Sequence, residues 1–592
     1  MNFITCLASL EHRLGGGGEP ESRAKRLSIA GLWVSGVVAL AVMIWLTGFP
    51  VMWEKLNDVL VLLDGGWRVW NGQVPHRDFY SVIGPYPLGV FALGFALRGS
   101  DVSGLPLALL CVGVVMSAIS WRATQGRLTL WWRLAVAFQT LLLPVAVTFL
   151  GGGTDIGGGE GPPFGFAFHT SYAMQYNRMG WAALLNQMLI MLLPRRSAET
   201  TRQMVGDAVL AGMMVALCVF CKINFLLGTG FLCVWWLYSS EQRARRAAAL
   251  LAGFLLISVL LAIKPGGVLA YFVDQWRLLH VSRTESHVQS LLVRLRANWS
   301  WLLILVGGHI SLLVECKRRQ ASVQVGWGWL PMNFFVALGV SLFVTTFNTQ
   351  RGEVPGFLVA GLITVEMALR AMAQDPMGAA PEKREALLTK CLVAKALCAV
   401  FVMSGICYDW GSLAYAALWK IRKPDWAKES ERLPGMLSVI PIPVYFNEPT
   451  ENSEVDKAIT RRRSGPWANT GTDNFMTSRQ TARWVEDGME LLAKNAGPAD
   501  RIFVAAWFNP FNLGLRIPPA SGGGMHWDYD RVVDTHIHPD VQRTLSEVTI
   551  FMVPKRADWL EQREYMVRMY GQGLGTDFHA VGESTFWVCW KR

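Results

Sequence analysis

Three aspartates fall within 21 residues of one another, Asp58, Asp64 and Asp78, just after the first long apolar run of the chain. A carboxylate at lipid headgroup depth has a low local dielectric and can act as general base on a hydroxyl. The same stretch carries His76 and Arg77 directly before Asp78. Further along are cations that the positive-inside bias disfavours at their positions. Arg178 follows Tyr172 and Asn177 just before an apolar run, and Lys222 with Asn224 sits in a tight turn between two runs. Arg351 and Glu353 open another run, and His169 lies in a Gly-rich loop. A guanidinium near the headgroups holds a phosphate by paired hydrogen bonds. The bland alternatives are solvating loop acids, snorkelling cations, a structural histidine and local ion pairs.

The elements that must position these residues are apolar. Of 592 residues, 52% are hydrophobic and only 17% charged, against about 25% charged in a soluble domain. Residues 1–410 hold 33 basic and 22 acidic residues, and residues 411–592 hold 22 of each. The net charge of +11 therefore lies wholly in the first part. This composition excludes a single soluble enzyme, a disordered chain and a disulfide scaffold. It implies a polytopic α-helical membrane protein followed by a C-terminal soluble α/β domain. Basic excess in such a chain marks cytoplasmic loops and argues against nucleic acid as a partner. The ten cysteines show neither a disulfide framework nor metal-ligand spacing.

An uncleaved first helix is expected over about 27–50, since the run exceeds a signal-peptide core. Further spans are expected at about 104–121, 130–150, 179–194, 206–221, 223–239, 249–263, 301–315, 327–347, 355–371 and 390–408. With residues 1–28 as a cytoplasmic tail, eleven spans keep Arg122/Arg127, Arg195/Arg196, Arg243/Arg245/Arg246, Lys317/Arg318/Arg319 and Lys383/Arg384 inside. The membrane part is then 29–409 and the exported domain 410–592. Gly84–Leu97 is only 14 residues long and contains Pro85, Pro87, Gly89 and Gly94. It reads as a juxtamembrane helix, so the first exported loop covers about 51–103. Val59, Leu60, Leu62, Leu63, Trp67 and Trp70 suit a helix lying in the interface. Loop 264–300 is amphipathic. The tail shows helical stretches near 477–494 and 556–570 and strand-like runs at Arg501–Trp507, Val548–Val553 and Thr585–Trp590.

The stretch Asp58…Gly65-Gly66-Trp67-Arg68-Val69…Asn71-Gly72-Gln73-Val74-Pro75-His76-Arg77-Asp78-Phe79…Gly84-Pro85 resembles the first exported loop of bacterial GT-C superfamily glycosyltransferases. These include relatives of protein mannosyltransferases and lipid A aminoarabinose transferases. The resemblance implies a bacterial inner-membrane enzyme with its C-terminal domain in the periplasm. It would move a sugar from a polyprenyl-phosphate donor to an acceptor hydroxyl, with inversion. The acceptor, whether glycan, lipid or protein, stays open. Asp58 matches the acidic residue that serves as base in that superfamily, and Asp78 is a second acidic candidate. Lys222 resembles positions near the donor phosphate; Arg178 and Arg351 are the other phosphate candidates, and His76, Arg77, His169, Tyr172, Asn177 and Glu353 complete the set. Many members carry Asp-Glu where this chain has Asp58-Val59, which leaves a divalent metal cofactor open. Competing classes are a transporter or flippase, a ligase or polymerase of lipid-diphosphate-linked glycans, for which Arg277, Arg283, Arg294 and Arg296 speak, and a non-enzymatic receptor. Ionisable residues gathered at one face favour an interfacial enzyme over a transporter.

Overall fold

The computed structural model describes residues 23–47, 56–99, 101–146, 148–149, 170–172, 174–194, 196, 199–262, 267–281, 287–319, 329–347, 353–373, 431–432, 435–442, 478–527, 541–555 and 560–592, with isolated positions from 389 to 414. The described part is mostly helical, with a small sheet near the C-terminus. Helices α1 (Arg23–Thr47), α2 (Leu56–Trp70), α3 (Pro85–Leu97), α4 (Leu105–Thr124) and α5 (Leu130–Val145) come first. An antiparallel pair of two-residue strands, β1 (Thr148–Phe149) with β2 (Thr170–Ser171), precedes α6 (Gln175–Leu192). Then follow α7 (Thr201–Val219), α8 (Phe225–Tyr238), α9 (Arg243–Leu261), α10 (Gly267–Val281), α11 (His287–Arg319), α12 (Leu330–Phe347) and α13 (Glu353–Ala373).

Ten of the eleven expected spans coincide with helices, and 390–408 lies almost wholly outside the described residues. Among the described residues, three stretches are long and apolar enough, by length and composition, to cross a membrane: Val102–Thr124, Thr201–Val219 and Arg243–Leu261. The other apolar helices are shorter, Gly31–Trp45 and Phe225–Tyr238 among them. Proline starts α3 and stands near the start of α4, where its missing N–H costs nothing. Thr200 and Gln203 form a reciprocal capping box at the start of α7. Helices α7 and α9 approach closely because a Cβ at Gly212 or Gly253 would overlap the Leu250 or Val209 carbonyl of the facing helix.

Helix α6 runs through the centre of the bundle, with its residues from Asn177 to Leu192 buried. Its sequence is unusually polar for that position, containing Gln175, Asn177, Arg178, Asn186 and Gln187.

Beyond the bundle lie β3 (Glu431–Arg432), β4 (Pro441–Ile442) and α14 (Ser478–Asn495). Next are β5 (Ile502–Val504), the short α15 (Phe511–Gly514), α16 (Val541–Glu547), β6 (Ile550–Pro554), α17 (Leu560–Tyr570), β7 (His579–Glu583) and β8 (Trp587–Lys591). The four-stranded sheet has the order β5-β6-β8-β7. Strands β5 and β6 are parallel, and β8 pairs antiparallel with both β6 and β7. Three of these strands match the apolar runs of the sequence. Strand β7, His-Ala-Val-Gly-Glu, gave no such signal because most of its residues are exposed.

Candidate functional site

The two ends of the bundle carry opposite chemistry. At one end, Asp207 near the start of α7 is fully buried and accepts from Arg127 Nη2 and Arg196 Nη1. Arg127 Nη1 also donates to the Leu189 and Ile190 carbonyls near the end of α6, at 3.2 and 2.7 Å. Arg246 pairs with Glu199 at 2.7 Å. Arginines from three loops expected to face one way thus meet around two acids.

At the other end stand the first turn of α6 and the turn after α7. Arg178 is 1% exposed and its Nε donates to the Leu143 carbonyl at 2.7 Å. Helix α5 ends there, so its last carbonyls lack partners within the helix. Gln175 Nε2 meets the Pro144 and Ala146 carbonyls. Part of Arg178 therefore caps α5, a role the sequence did not suggest. Met174, in the left-handed region (φ 53°), starts α6. Asn177 is 1% exposed, and its Oδ1 has no hydrogen-bond partner among the described residues. Tyr172 is buried in the approach. Lys222 is half-buried, with Nζ 5.7 Å from the centre of the Tyr176 ring. Its neighbour Cys221 donates to the Tyr176 carbonyl at 2.9 Å, which fixes this turn against the first turn of α6.

The first loop is bonded to this same turn. Gly84 N and Tyr86 N donate to the Cys221 and Phe220 carbonyls at 3.0 and 3.1 Å. A Cβ at position 84 would overlap the Phe220 carbonyl, so only glycine permits the approach. Helix α7 is 19 residues long, about 28 Å at 1.5 Å per residue. The Asp207 cluster and the Lys222 turn thus lie at opposite ends of a helix roughly as long as a hydrocarbon core is thick.

Asp58 is half-buried in the first turn of α2, where the free N–H groups of a helix start favour a carboxylate. Asp64 lies further along α2, is fully buried, and accepts from Arg68 Nε at 2.9 Å. Burial raises the Asp64 pKa, against the pull of Arg68. Arg68 Nη1 reaches the Ala520 carbonyl at 3.3 Å.

Asp78 is mostly engaged in holding the loop together. It accepts from Val74 N at 2.8 Å, from Arg77 Nε and Nη2 at 3.0 and 2.7 Å, and from Arg543 Nη2 at 3.1 Å. Burial acts to raise its pKa, but these donors outweigh it and hold the carboxyl below its usual value. Its hydrogen bond to Asp78 raises the Arg77 pKa. The loop is strapped from outside by residues 517–525. Trp67 Nε1 donates to the Ile517 carbonyl at 2.9 Å, Gln73 Nε2 to Pro519 at 2.9 Å, and Tyr80 N to Gly523 at 2.8 Å. Met525 N returns a bond to the Tyr80 carbonyl at 3.2 Å. His76 is buried with a left-handed backbone (φ 69°), and its Nδ1 lies 3.0 Å from Asp274 Oδ2 on α10.

The structure therefore brings the loop of His76, Arg77 and Asp78, the turn of Lys222, and the turn of Tyr172, Asn177 and Arg178 to one junction, with Asp58 on the helix that opens the loop. His169 and Arg351 lie outside the described residues, as does the side chain of Glu353. Sequence reasoning missed Asp274 and the strap 517–525, because neither has a signal that pairs it with a loop hundreds of residues away. It noted Asp64 only as one of three loop acids; the i, i+4 spacing to Arg68 was the available clue. Among the described residues no three His, Cys, Asp or Glu side chains group as a metal site, so no residue set here is assigned to a divalent ion.

No protein-family model matches the chain, and no curated protein matches it. Among solved structures, ArnT from Cupriavidus metallidurans is similar in two states. The structure bound to undecaprenyl phosphate has 13% identity and a TM-score of 0.39, covering 95% of this chain and 97% of that one. The apo structure has 12% identity and a TM-score of 0.40, covering 95% and 98%. Scores below 0.5 do not establish a shared fold, so the function is read from this chain's own residues.

Proposed function

We propose that this chain is a membrane glycosyltransferase that moves a sugar from a polyprenyl-phosphate donor to an acceptor hydroxyl, with Asp58 as general base. One observation carries the reading. The loop that follows α2 is hydrogen-bonded to the turn bearing Lys222, beside the first turn of α6 bearing Arg178, at the end of the bundle opposite the Asp207 cluster. These bonds set the two cation-bearing turns beside the loop that α2 opens, Asp58 lies in the first turn of that helix, and the reading puts a lipid-borne phosphate at this end of the bundle.

The acceptor hydroxyl attacks the anomeric carbon while Asp58 takes its proton. A new C–O bond forms, the bond from the anomeric carbon to the phosphate oxygen breaks, and the electron pair leaves with the lipid phosphate. One displacement inverts the anomeric centre. The leaving phosphate gains a second negative charge, which needs fixed cations. Lys222, Arg178 and Arg351 are assigned to it, and removing one donor of this kind costs on the order of 100-fold in rate. Arg178 keeps its Nε on the Leu143 carbonyl, so its terminal nitrogens are the ones assigned to phosphate. Asp78 is a positioning residue in this scheme, since its oxygens hold Arg77, Arg543 and the Val74 amide.

Purified protein in nanodiscs, given radiolabelled undecaprenyl-phosphate sugars, tests the proposal. Release of undecaprenyl phosphate with transfer of label is expected for the natural chain. Asp58→Asn should remain folded and lose turnover by at least 100-fold. Full turnover in that variant removes Asp58 from the role, and no turnover of any such lipid by the natural chain overturns the reading.

A further inference from the structure

Helix α10 packs a single polar face inward. Tyr271, Asp274 and Gln275, at spacings of three and four residues, are 0%, 4% and 3% exposed. Leu269 and Trp276 on its other faces are 74% and 66% exposed. The buried face meets the first loop. Asp274 Oδ2 lies 3.0 Å from His76 Nδ1, and the His76 ring stands edge-on to Tyr271 with centroids 4.9 Å apart. Tyr271 Oη in turn donates to the Val219 carbonyl, at the start of the Lys222 turn.

Three polar atoms at this contact, His76 Nε2 of the loop and Gln275 Oε1 and Nε2 of α10, are buried without a hydrogen-bond partner among the described residues. Gln275 is adjacent to Asp274, the residue that holds His76. An orphaned buried polar group is costly, and its persistence calls for a partner. His76 also keeps a left-handed backbone (φ 69°), which a side chain of its size rarely adopts. Nδ1 faces the Asp274 carboxylate, which can only accept, so in the tautomer with the proton on Nδ1 alone Nε2 is an acceptor. Gln275 adds one acceptor oxygen and one donor amide.

Resting on the transferase reading above, we propose that the junction of α10 with the first loop is a sugar-hydroxyl subsite, formed by His76 Nε2 and the Gln275 amide. The pattern of groups selects the ligand class. Two acceptors and one donor suit hydroxyls, which give and accept hydrogen bonds. A phosphate oxygen accepts only and would find the Gln275 amide alone. Asp274 is a positioning residue, turning the ring so that Nε2 faces the ligand. The subsite adjoins the Lys222 turn through Tyr271, as a sugar attached to a phosphate there requires.

Two variants of the full chain in nanodiscs test this. Gln275→Leu replaces both orphaned atoms of the amide with apolar volume, and His76→Asn keeps a residue that tolerates positive φ but cannot reach as far as Nε2. Tryptophan fluorescence would report binding of bare undecaprenyl phosphate, of the same lipid carrying mannose or arabinose, and of the free methyl glycosides. Both variants should bind at least one sugar-bearing lipid tenfold or more weakly, with bare undecaprenyl phosphate unchanged within twofold. The Tm of Gln275→Leu should stay level or rise, because losing two unpartnered atoms relieves the fold. A tenfold loss confined to the methyl glycosides also supports a hydroxyl subsite and gives it to the acceptor. Equal loss for bare and sugar-bearing lipid, or no loss for any probe, overturns the subsite and leaves a face that holds only water. Natural protein that binds bare lipid but no sugar-bearing probe overturns the subsite as well, while Asp58→Asn turnover still judges the transferase reading independently. Failure to bind any probe at all removes both.

Discussion

Replacing Arg68 with Met should destabilise the protein in a manner that depends on pH. The Asp64 carboxyl is fully buried, takes Arg68 Nε at 2.9 Å on one oxygen, and has no hydrogen-bond partner among the described residues on the other. Removing the cation from such a pair costs about 3–5 kcal/mol. Methionine retains most of the buried stem, so packing contributes little. Protonation caps the loss. Burial already raises the Asp64 pKa, and without Arg68 it rises further. A carboxyl whose folded pKa lies above its unfolded value of about 3.9 contributes stability that is full below that value and is lost as pH rises through the folded pKa. Destabilisation by Arg68→Met should therefore be about 1 kcal/mol near pH 4, from the lost contacts alone. It should grow by about 1.4 kcal/mol per pH unit and level off at about 3–4 kcal/mol. Thermal unfolding followed by tryptophan fluorescence between pH 4.5 and 8 measures this. Asp64→Leu with Arg68→Met should recover most of the loss at neutral pH, since no buried charge remains. A loss of Tm in Arg68→Met that ignores pH, or a double variant no more stable than the single one, would refute the reasoning.

The clasp around Asp78 leads to a second expectation. Asp78→Asn and Arg543→Ala should loosen the strap 517–525 from the first loop, read as faster hydrogen exchange at Tyr80 and Gly523. Arg543 is 42% exposed on its side chain, so its loss should cost only about 0.5–1 kcal/mol and shrink in high salt; Asp78→Asn, which weakens a buried bond to Val74 N as well, should cost about 2 kcal/mol. Because the Asp78 pKa is lowered in the folded protein, the clasp holds above its unfolded pKa of about 3.9 and should release as pH falls through the lower folded value. Gly84→Ala would force the first loop off the Phe220 carbonyl, and should abolish turnover while the exchange rates of β6 and β8 stay unchanged. Strong activity in Gly84→Ala would show that the junction with the Lys222 turn is not needed.

Much of the helical layout was legible in the chain because apolar runs of spanning length have few alternatives in a bilayer. The short Gly84–Leu97 run forms a helix, Pro85–Leu97, whose start is marked by Gly84, Pro85 and Pro87. The central helix α6 was readable only as the apolar stretch 179–194. Its first turn, with Gln175, Asn177 and Arg178, is polar because it caps α5 and lines the junction, and such partners are invisible to periodicity.

By itself the sequence determined that an apolar helical body precedes a tail of soluble composition, and that acids and cations collect in particular loops. Composition and run length act locally, so they survive without coordinates. Only the tertiary structure decided which of those charges meet. Asp78 turned out to clasp Arg543, 465 residues away, and His76 to face Asp274, 198 residues away. Pairing over such separations is set by how helices pack and where a glycine lets two backbones touch, and neither leaves a periodic trace along the chain.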